Sequence, residues 1–376
     1  MTDAAQAHLD NHFMQMALTL AERGRFTAAP NPCVGCVIVA QQEVVGSGYH
    51  ERPGEPHAEV FALREAGARA HGATAYVTLE PCSHFGRTPP CADGLIKAKV
   101  SRVVVALQDP NPLVAGQGIE RLRAAGIQVD VGVLETAARQ LNLGFISRME
   151  RQLPWVRLKM AMSLDGRTAL SNGRSQWITG EQARLDVHRY RACSGAVLTS
   201  ARTVLMDQAR MTARHPEAQQ QPLRVLLDRR AEVAVDHPFF AISTPVLRVV
   251  DATVEDRAHW PAHVQTLRVP SAQQRLPLQS VLAELAQQQI NEVWTECGAE
   301  LAGALVSADL VDEYVIYMAP KLLGDSSRGL LQLPEFSQLE HVPQLHFQSF
   351  TRLGEDIRIN ALPLHRSVMA RGEVTS

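Results

Sequence analysis

Pro81-Cys82-Ser83-His84-Phe85-Gly86-Arg87-Thr88-Pro89-Pro90-Cys91 carries two thiols, each placed directly after a proline. A short way upstream lies His57-Ala58-Glu59. Together these segments supply one imidazole, two thiols and one carboxylate that is not needed as a ligand. Zinc held by three protein ligands keeps a fourth position for water, and a nearby Glu can move protons. His57, Cys82 and Cys91 are the metal ligands this pattern calls for. Glu59 is the residue that would act first as general base and then as general acid.

The flanking pattern agrees. An apolar strand, Ala75 to Leu79, runs straight into Pro81-Cys82, and a helix from Ala92 to Lys99 begins beside Cys91. Pro56 opens a helix through about Ala70, with Gly72 after it, so His57 and Glu59 sit in its first turn. Helix N-termini carry partial positive charge and favour thiolate over thiol. The same residues also suit two plainer arrangements. A purely structural zinc wants a fourth protein ligand, and His84 would supply one while closing the site. Alternatively, His57 and Glu59 are a surface pair and the cysteines are simply buried.

Farther out, His12 to Arg23 has helical spacing, and Val34 to Val39 with Val44 to Tyr49 reads as a hairpin. Val103 to Leu107 and Ile127 to Val131 are strands separated by a helix from Ile119 to Ala125. A single helix is expected over Glu135 to Glu150. Arg151-Gln152-Leu153-Pro154 is a polar break, and a new strand, Trp155 to Ala161, follows it. The domain boundary belongs there. Beyond it the spacing predicts strands at 196–199, 223–227, 246–250, 293–296, 314–319 and 357–362. Helices are expected at 181–191, 278–289 and 299–307. Gln219-Gln220-Gln221 reads as a surface loop, and the tail after Leu364 as disordered. Alternating helices and strands imply sheets covered by helices on both faces.

The 376 residues suffice for two domains or one large one. With 45% hydrophobic and 20% charged residues, a packed core is expected. A net charge of -2 and a pI near 6.7 give no overall footprint for nucleic acid, although totals leave a local basic face open. No apolar run reaches bilayer length. Asp3 and Asp10 argue against a signal peptide. Six cysteines in so long a chain do not make a disulfide framework, so a reduced cytoplasmic setting is expected. Cys33, Cys36, Cys193 and Cys297 read as small core residues.

In the second half, a strand ends at Glu296, Gly298 permits a sharp turn, and a helix of small residues follows: Ala299-Glu300-Leu301-Ala302-Gly303-Ala304. Such a helix N-terminus presents backbone N–H groups to a phosphate, and small side chains allow close approach. On spacing alone, a plain strand–turn–helix is equally consistent. Ala115-Gly116-Gln117-Gly118 contains a Gly-x-Gly but lacks the spacing of a dinucleotide fingerprint.

Asn31-Pro32-Cys33-Val34-Gly35, His57-Ala58-Glu59, the 81–91 segment and Asp109-Pro110-Asn111-Pro112 together resemble the deaminase half of the riboflavin-biosynthesis deaminase/reductase family. Zinc deaminases usually show Cys-x-x-Cys. Here eight residues separate Cys82 from Cys91, which narrows the resemblance. Lys159, Ser163-Leu164-Asp165-Gly166-Arg167, Ser175-Gln176-Trp177-Ile178-Thr179, Thr203-Val204-Leu205-Met206-Asp207 and the 296–304 segment resemble the reductase half.

The resemblance covers nearly the whole chain. It implies an α/β protein, with a cytidine-deaminase-like N-terminal domain (1–150) followed by a dihydrofolate-reductase-like C-terminal domain (154–376). It implies hydrolytic deamination of 2,5-diamino-6-(5-phosphoribosylamino)pyrimidin-4-one, then NADPH-dependent reduction of the ribosyl group to ribityl. Zn²⁺ and NADPH are the implied cofactors. Asn31, His50, His84 and Arg87 would hold the pyrimidine, ribose or phosphate. Ala161, Trp177, Thr203, Asp207 and residues 298–304 would line the NADPH site. Ser175, Arg191, Met211, Arg214 and Glu296 would face the sugar phosphate, with the two arginines as phosphate forks. As the furanose ring opens its oxygen needs a proton, for which Lys159 and Glu296 are the candidates. The implied partner is a small phosphoribosyl pyrimidine, with no nucleic acid or membrane, and a homo-oligomer is expected.

Two rival readings predict different things. A nucleic-acid-editing deaminase needs a basic binding face and leaves the second half unexplained. A zinc-stabilised binding module needs four protein ligands and has no affinity for NADPH.

Overall fold

Central strands buried on both faces build both halves of the molecule. In the computed structural model, residues 3–83, 89–112, 114–255 and 258–366 are described. The chain divides into two compact units between Gln152 and Leu153.

The first unit runs α1 (Asp3–Ala21), β1 (Gly35–Ala40), β2 (Glu43–Tyr49), α2 (Ala58–Ala66), β3 (Thr74–Val77), α3 (Cys91–Lys97), β4 (Arg102–Val105), α4 (Gln117–Ala124), β5 (Gln128–Val131), α5 (Glu135–Leu141) and α6 (Leu143–Arg151). Its sheet has the order β2-β1-β3-β4-β5. The β1 strand is antiparallel to β2 and β3, whereas β3, β4 and β5 are parallel. Period-two alternation splits the core. Cys36, Ile38, Ala75, Val77, Val103 and Val105 pack on one face. Val37, Val39, Tyr76 and Val104 pack on the other.

One expectation fails in this unit. The helix expected over Glu135 to Glu150 is two helices, broken at Asn142 (φ -121°, ψ 24°). The Asn142 side chain accepts from Cys33 N at 2.8 Å and donates to Cys33 O at 3.0 Å. Asn competes for backbone groups more readily than most residues, and here a distant segment is the partner.

The second unit contains β6 (Trp155–Ser163), β7 (Arg167–Ala169), α7 (Glu181–Cys193), β8 (Ala196–Ser200), α8 (Ala201–Asp207), β9 (Leu223–Leu227), β10 (Val246–Asp251), β11 (Val264–Val269), α9 (Leu278–Gln287), β12 (Glu292–Glu296), α10 (Ala299–Ser307), β13 (Glu313–Ala319), β14 (Arg328–Gly329), β15 (Leu345–Leu353) and β16 (Asp356–Pro363). Nine strands form one sheet in the order β11-β10-β9-β8-β12-β6-β13-β16-β15. It is parallel from β11 through β13 and closes with the antiparallel pair β16 and β15. Parallel strands buried on both faces explain their near-continuous apolar runs.

The expected strands are all present, but β7, β11, β14 and β15 and helix α8 are additional. The β15 edge strand is exposed along most of its length and shows no clean alternation. The α8 helix is short and held by a local cap, with Ser200 Oγ accepting from Thr203 N. The Gln219–Gln221 loop is exposed. Within the 365–376 tail, residues 367–376 lie outside the described residues, so that expectation has no structural counterpart.

Candidate functional site

In the first unit the side chains expected to hold a metal converge where β3 ends and two helices begin. His57 is the N-cap residue of α2 and Cys91 is the first residue of α3. Their ligand atoms and Cys82 Sγ all lie within 4.8 Å of one another. His57 Nδ1 is 3.3 Å from Cys91 Sγ and 3.6 Å from Cys82 Sγ. Cys91 N donates to Cys82 Sγ at 3.3 Å. Hydrogen bonds from the Cys91 thiol and His57 hold Cys82 well below the usual thiol range, despite partial burial. A thiolate beside an imidazole and a second thiol is the donor set zinc takes.

Glu59 lies one helical step from this cluster and is only 3% exposed. Its Oε2 has no protein partner. Burial pushes its carboxyl up to about 7, against the pull of His57. A proton carrier works best with a pKa near the working pH. Beside the cluster, His50 is buried, with its ring edge-on to His57 at 5.3 Å between centroids. Asn31 Nδ2 and His50 Nε2 are 2.9 Å apart, and His50 Nδ1 lies 3.3 Å from Pro56 O. Burial lowers the His50 pKa, which favours a neutral imidazole.

The second unit gathers charge at the ends of β6 and β12. Glu296 takes a two-pronged ion pair from Arg191, at 2.5 Å from Nε and 2.9 Å from Nη2. It also accepts from Trp294 Nε1 at 2.8 Å. Burial alone would raise its pKa, but Arg191 and these hydrogen bonds bring it down to about 2. Lys159, on β6, is half-buried. Burial lowers its pKa, opposed by Glu296 and Asp207 and reinforced by Arg191. Arg214 is exposed and donates to Thr212 Oγ1 at 3.0 Å.

Two comparisons with known families match this division. Residues 7–107 match the model for the cytidine and deoxycytidylate deaminase zinc-binding region. Residues 154–359 match the RibD C-terminal domain. The riboflavin biosynthesis protein RibD of Escherichia coli is 50% identical over 368 residues, covering 93% of this chain and 98% of that protein. Among solved structures, Acinetobacter baumannii RibD superposes with a TM-score of 0.87 at 43% identity, over 95% of this chain and 99% of that one. A diaminohydroxyphosphoribosylaminopyrimidine deaminase/5-amino-6-(5-phosphoribosylamino)uracil reductase from Thermotoga maritima superposes at 0.86, with 32% identity, over 95% and 99% of the two chains.

The chain belongs to the RibD family. It is a bifunctional deaminase/reductase of riboflavin biosynthesis. A zinc-dependent, cytidine-deaminase-like domain is followed by an NADP-dependent, dihydrofolate-reductase-like domain. Among the described residues no helix is long and apolar enough to cross a membrane.

Within this RibD chain the expected site residues fare differently. His84 and Arg87 lie outside the described residues. Glu296 does not suit the role of proton donor, because Arg191 keeps it ionised. Arg191 is not an open phosphate fork. It is buried, and besides Glu296 it donates to Thr212 O at 3.0 Å and Met211 Sδ at 3.7 Å. The Met211 side chain packs in the core, so only its backbone can face a ligand.

The cofactor motif needs a similar correction. Gly298 has φ -77°, which any residue adopts, so it is not required for a sharp turn. A Cβ there would meet nothing within 4 Å, which leaves open space at the α10 N-terminus for a cofactor. Gly303 faces inward instead: a Cβ would lie 1.9 Å from Gln332 O. Ala302 is buried too, while Ala299, Glu300, Leu301 and Ala304 remain partly or fully exposed. Glu300 pairs with Arg202 at 3.5 Å.

Trp177 lies at the surface. It is 64% exposed, with the Arg184 guanidinium 4.9 Å from its ring centroid. Lys321 Nζ donates to the carbonyls of Trp177, at 2.9 Å, and Ile178, at 2.6 Å. Ser175, Ala161 and Thr203 are partly exposed, and Asp207 is exposed at the end of α8. Sequence reasoning missed Arg184 and Lys321, which hold the 175–179 loop from outside its own motif. It also missed Glu80, although a carboxylate directly before the Pro81-Cys82 step was a signal.

Proposed function

We propose that His57, Cys82 and Cys91 hold the catalytic zinc and that Glu59 shuttles the proton in deamination. The observation that carries this is the convergence of the three ligand atoms beside a buried carboxylate oxygen with no protein partner. Zinc, when bound, supplies the Lewis acidity that makes water nucleophilic near neutral pH. Glu59 takes a proton from that nucleophile and returns it to the leaving amine. Its carboxyl, raised by burial, suits both halves of the task. Asn31 and His50 hold the pyrimidine or ribose, supported by their mutual hydrogen bond at the edge of His57. His84 and Arg87, which lie outside the described residues, are the further candidates for holding the pyrimidine, ribose or phosphate.

In the second unit, Lys159 donates the proton to the furanose oxygen during ring opening. The contrast with ion-paired Glu296 supports this choice. NADPH supplies the hydride when bound, and the protein orients it. The open α10 N-terminus, exposed Trp177, Ala161, Thr203 and Asp207 line the cofactor, and Ser175 and Arg214 face the sugar phosphate. Arg191 contributes by fixing Glu296 at the end of β12. The zinc assignment is tested by metal analysis of Cys82→Ala and Cys91→Ala. Each should lose its zinc and its deaminase activity, and full zinc retention in both would overturn it.

The assembly proposed is a homo-oligomer in a reduced cytoplasmic compartment. The edge strand β15 supports the first part, since it exposes Leu345, Phe347 and Phe350 beside unpaired backbone groups. The six free cysteines support the second. Sedimentation of Phe347→Ser/Phe350→Ser should show a smaller species than wild type; equal sizes would remove β15 from the interface.

A further inference from the structure

The Gly-x-Gly at 116–118 matches no dinucleotide fingerprint, yet its backbone N–H groups do bind an anion. That anion is Glu80, which is 4% exposed. Its Oε2 accepts from Asp109 N at 3.1 Å and Gly116 N at 2.9 Å. Its Oε1 accepts from Gly118 N at 2.8 Å and Ile119 N at 3.2 Å. Four N–H donors converge on one carboxylate at the start of α4, where the helix dipole also favours negative charge.

Glu80 stands two residues before Cys82, and two further contacts bracket the same segment. Gly118 packs on the Pro81 carbonyl so closely that a Cβ would lie 2.0 Å from Pro81 O. Arg121 Nη1 donates to Ser83 O at 3.3 Å, and its Nη2 donates to Asp93 at 2.9 Å. The backbone on both sides of Cys82 is therefore gripped from α4 and the turn before it. Cys82 itself is tied to α3 through Ala92 N to Cys82 O at 3.2 Å.

We propose that Glu80 is a positioning residue for the zinc ligand Cys82, acting through Asp109 and residues 116–119 rather than by touching metal or substrate. The Asp109-Pro110-Asn111-Pro112 motif and the Gly-x-Gly then share one purpose. They fold the chain into a cradle for the Glu80 carboxylate, which sets where the Cys82 thiolate stands. This inference rests on the reading of Cys82 as a zinc ligand.

The test is Glu80→Gln in the full chain. The amide has nearly the same size but cannot accept all four N–H bonds. The zinc dissociation constant, read by chelator competition, should rise roughly 10- to 100-fold, as for other residues that orient metal ligands. In the cobalt-substituted protein the thiolate-to-metal charge-transfer band should shift, and Glu80→Asp, which keeps the charge, should recover part of both effects. A folded Glu80→Gln protein with wild-type zinc affinity and an unshifted band overturns the proposal.

A second measurement uses wild type alone and decides the matter if Glu80→Gln does not fold. Because coupling is reciprocal, zinc should slow hydrogen exchange at the amides of Asp109, Gly116, Gly118 and Ile119 by a similar factor. Equal exchange with and without zinc overturns the proposal. The two readings fail separately. Cys82→Ala that keeps its zinc overturns the ligand assignment, whereas Cys82→Ala that loses zinc beside a Glu80→Gln of wild-type zinc affinity and unshifted band overturns only the positioning role.

Discussion

The two sites of this RibD chain are built on opposite plans. In the deaminase unit, one imidazole nitrogen and two sulfurs meet within 4.8 Å. In the reductase unit, Arg191 and Glu296 are already paired with each other, while Trp177 is 64% exposed and Gly298 borders free space. A metal site must converge on a point, so only a few residue types and geometries serve. A dinucleotide site spreads over backbone N–H groups and small side chains, which many sequences can provide.

The sharpest way to break this comparison is to separate the units. A fragment beginning at Leu153 should reduce the deaminated intermediate with NADPH and show no deamination at all. A folded fragment that fails to bind NADPH would show that the first unit contributes to the cofactor site. Next in size is the proton carrier. Glu59→Gln should retain zinc and lose deamination by at least ~100-fold, with reduction unchanged. Loss of zinc as well would make Glu59 a ligand rather than a shuttle.

The arginines sharpen the contrast within the reductase unit. Arg214→Ala should weaken the phosphorylated intermediate roughly 10- to 100-fold and leave a dephosphorylated analogue nearly unaffected. Arg191→Ala should weaken both compounds, because it also strands the Glu296 carboxylate. If the two variants behave alike toward both compounds, the division of labour proposed for them is wrong.

The smallest effect concerns acid stability. The Glu296 carboxyl is held at about 2 in the fold, against an ordinary value of 4.5. A depressed carboxyl stabilises the folded state above its ordinary pKa, and that contribution fades as pH falls from about 4.5 toward about 2. Glu296→Gln should flatten this part of the stability profile. The four tryptophans, Trp155, Trp177, Trp260 and Trp294, all lie in the second unit, so their fluorescence reads that unit alone. An unchanged acid slope would mean that the pair contributes nothing to it.

The sequence by itself determined the fold class and the zinc-binding character of the deaminase domain. Cysteine and histidine spacing is local chemistry, and short β-rich apolar runs can be read without knowing their neighbours. Much of the reductase half was legible only through family resemblance, since small residues after a strand describe many turns. Tertiary structure alone decided which charges are free. Arg191 and Glu296 are 105 residues apart, and nothing in the spacing shows that they neutralise each other. The break at Asn142 was hidden for the same reason, because its partner Cys33 lies 109 residues away. Tertiary structure also turned the Gly-x-Gly at 116–118 from a motif without a role into the cradle of Glu80, because a backbone amide's partner is set by which carboxylate the fold brings within hydrogen-bond reach.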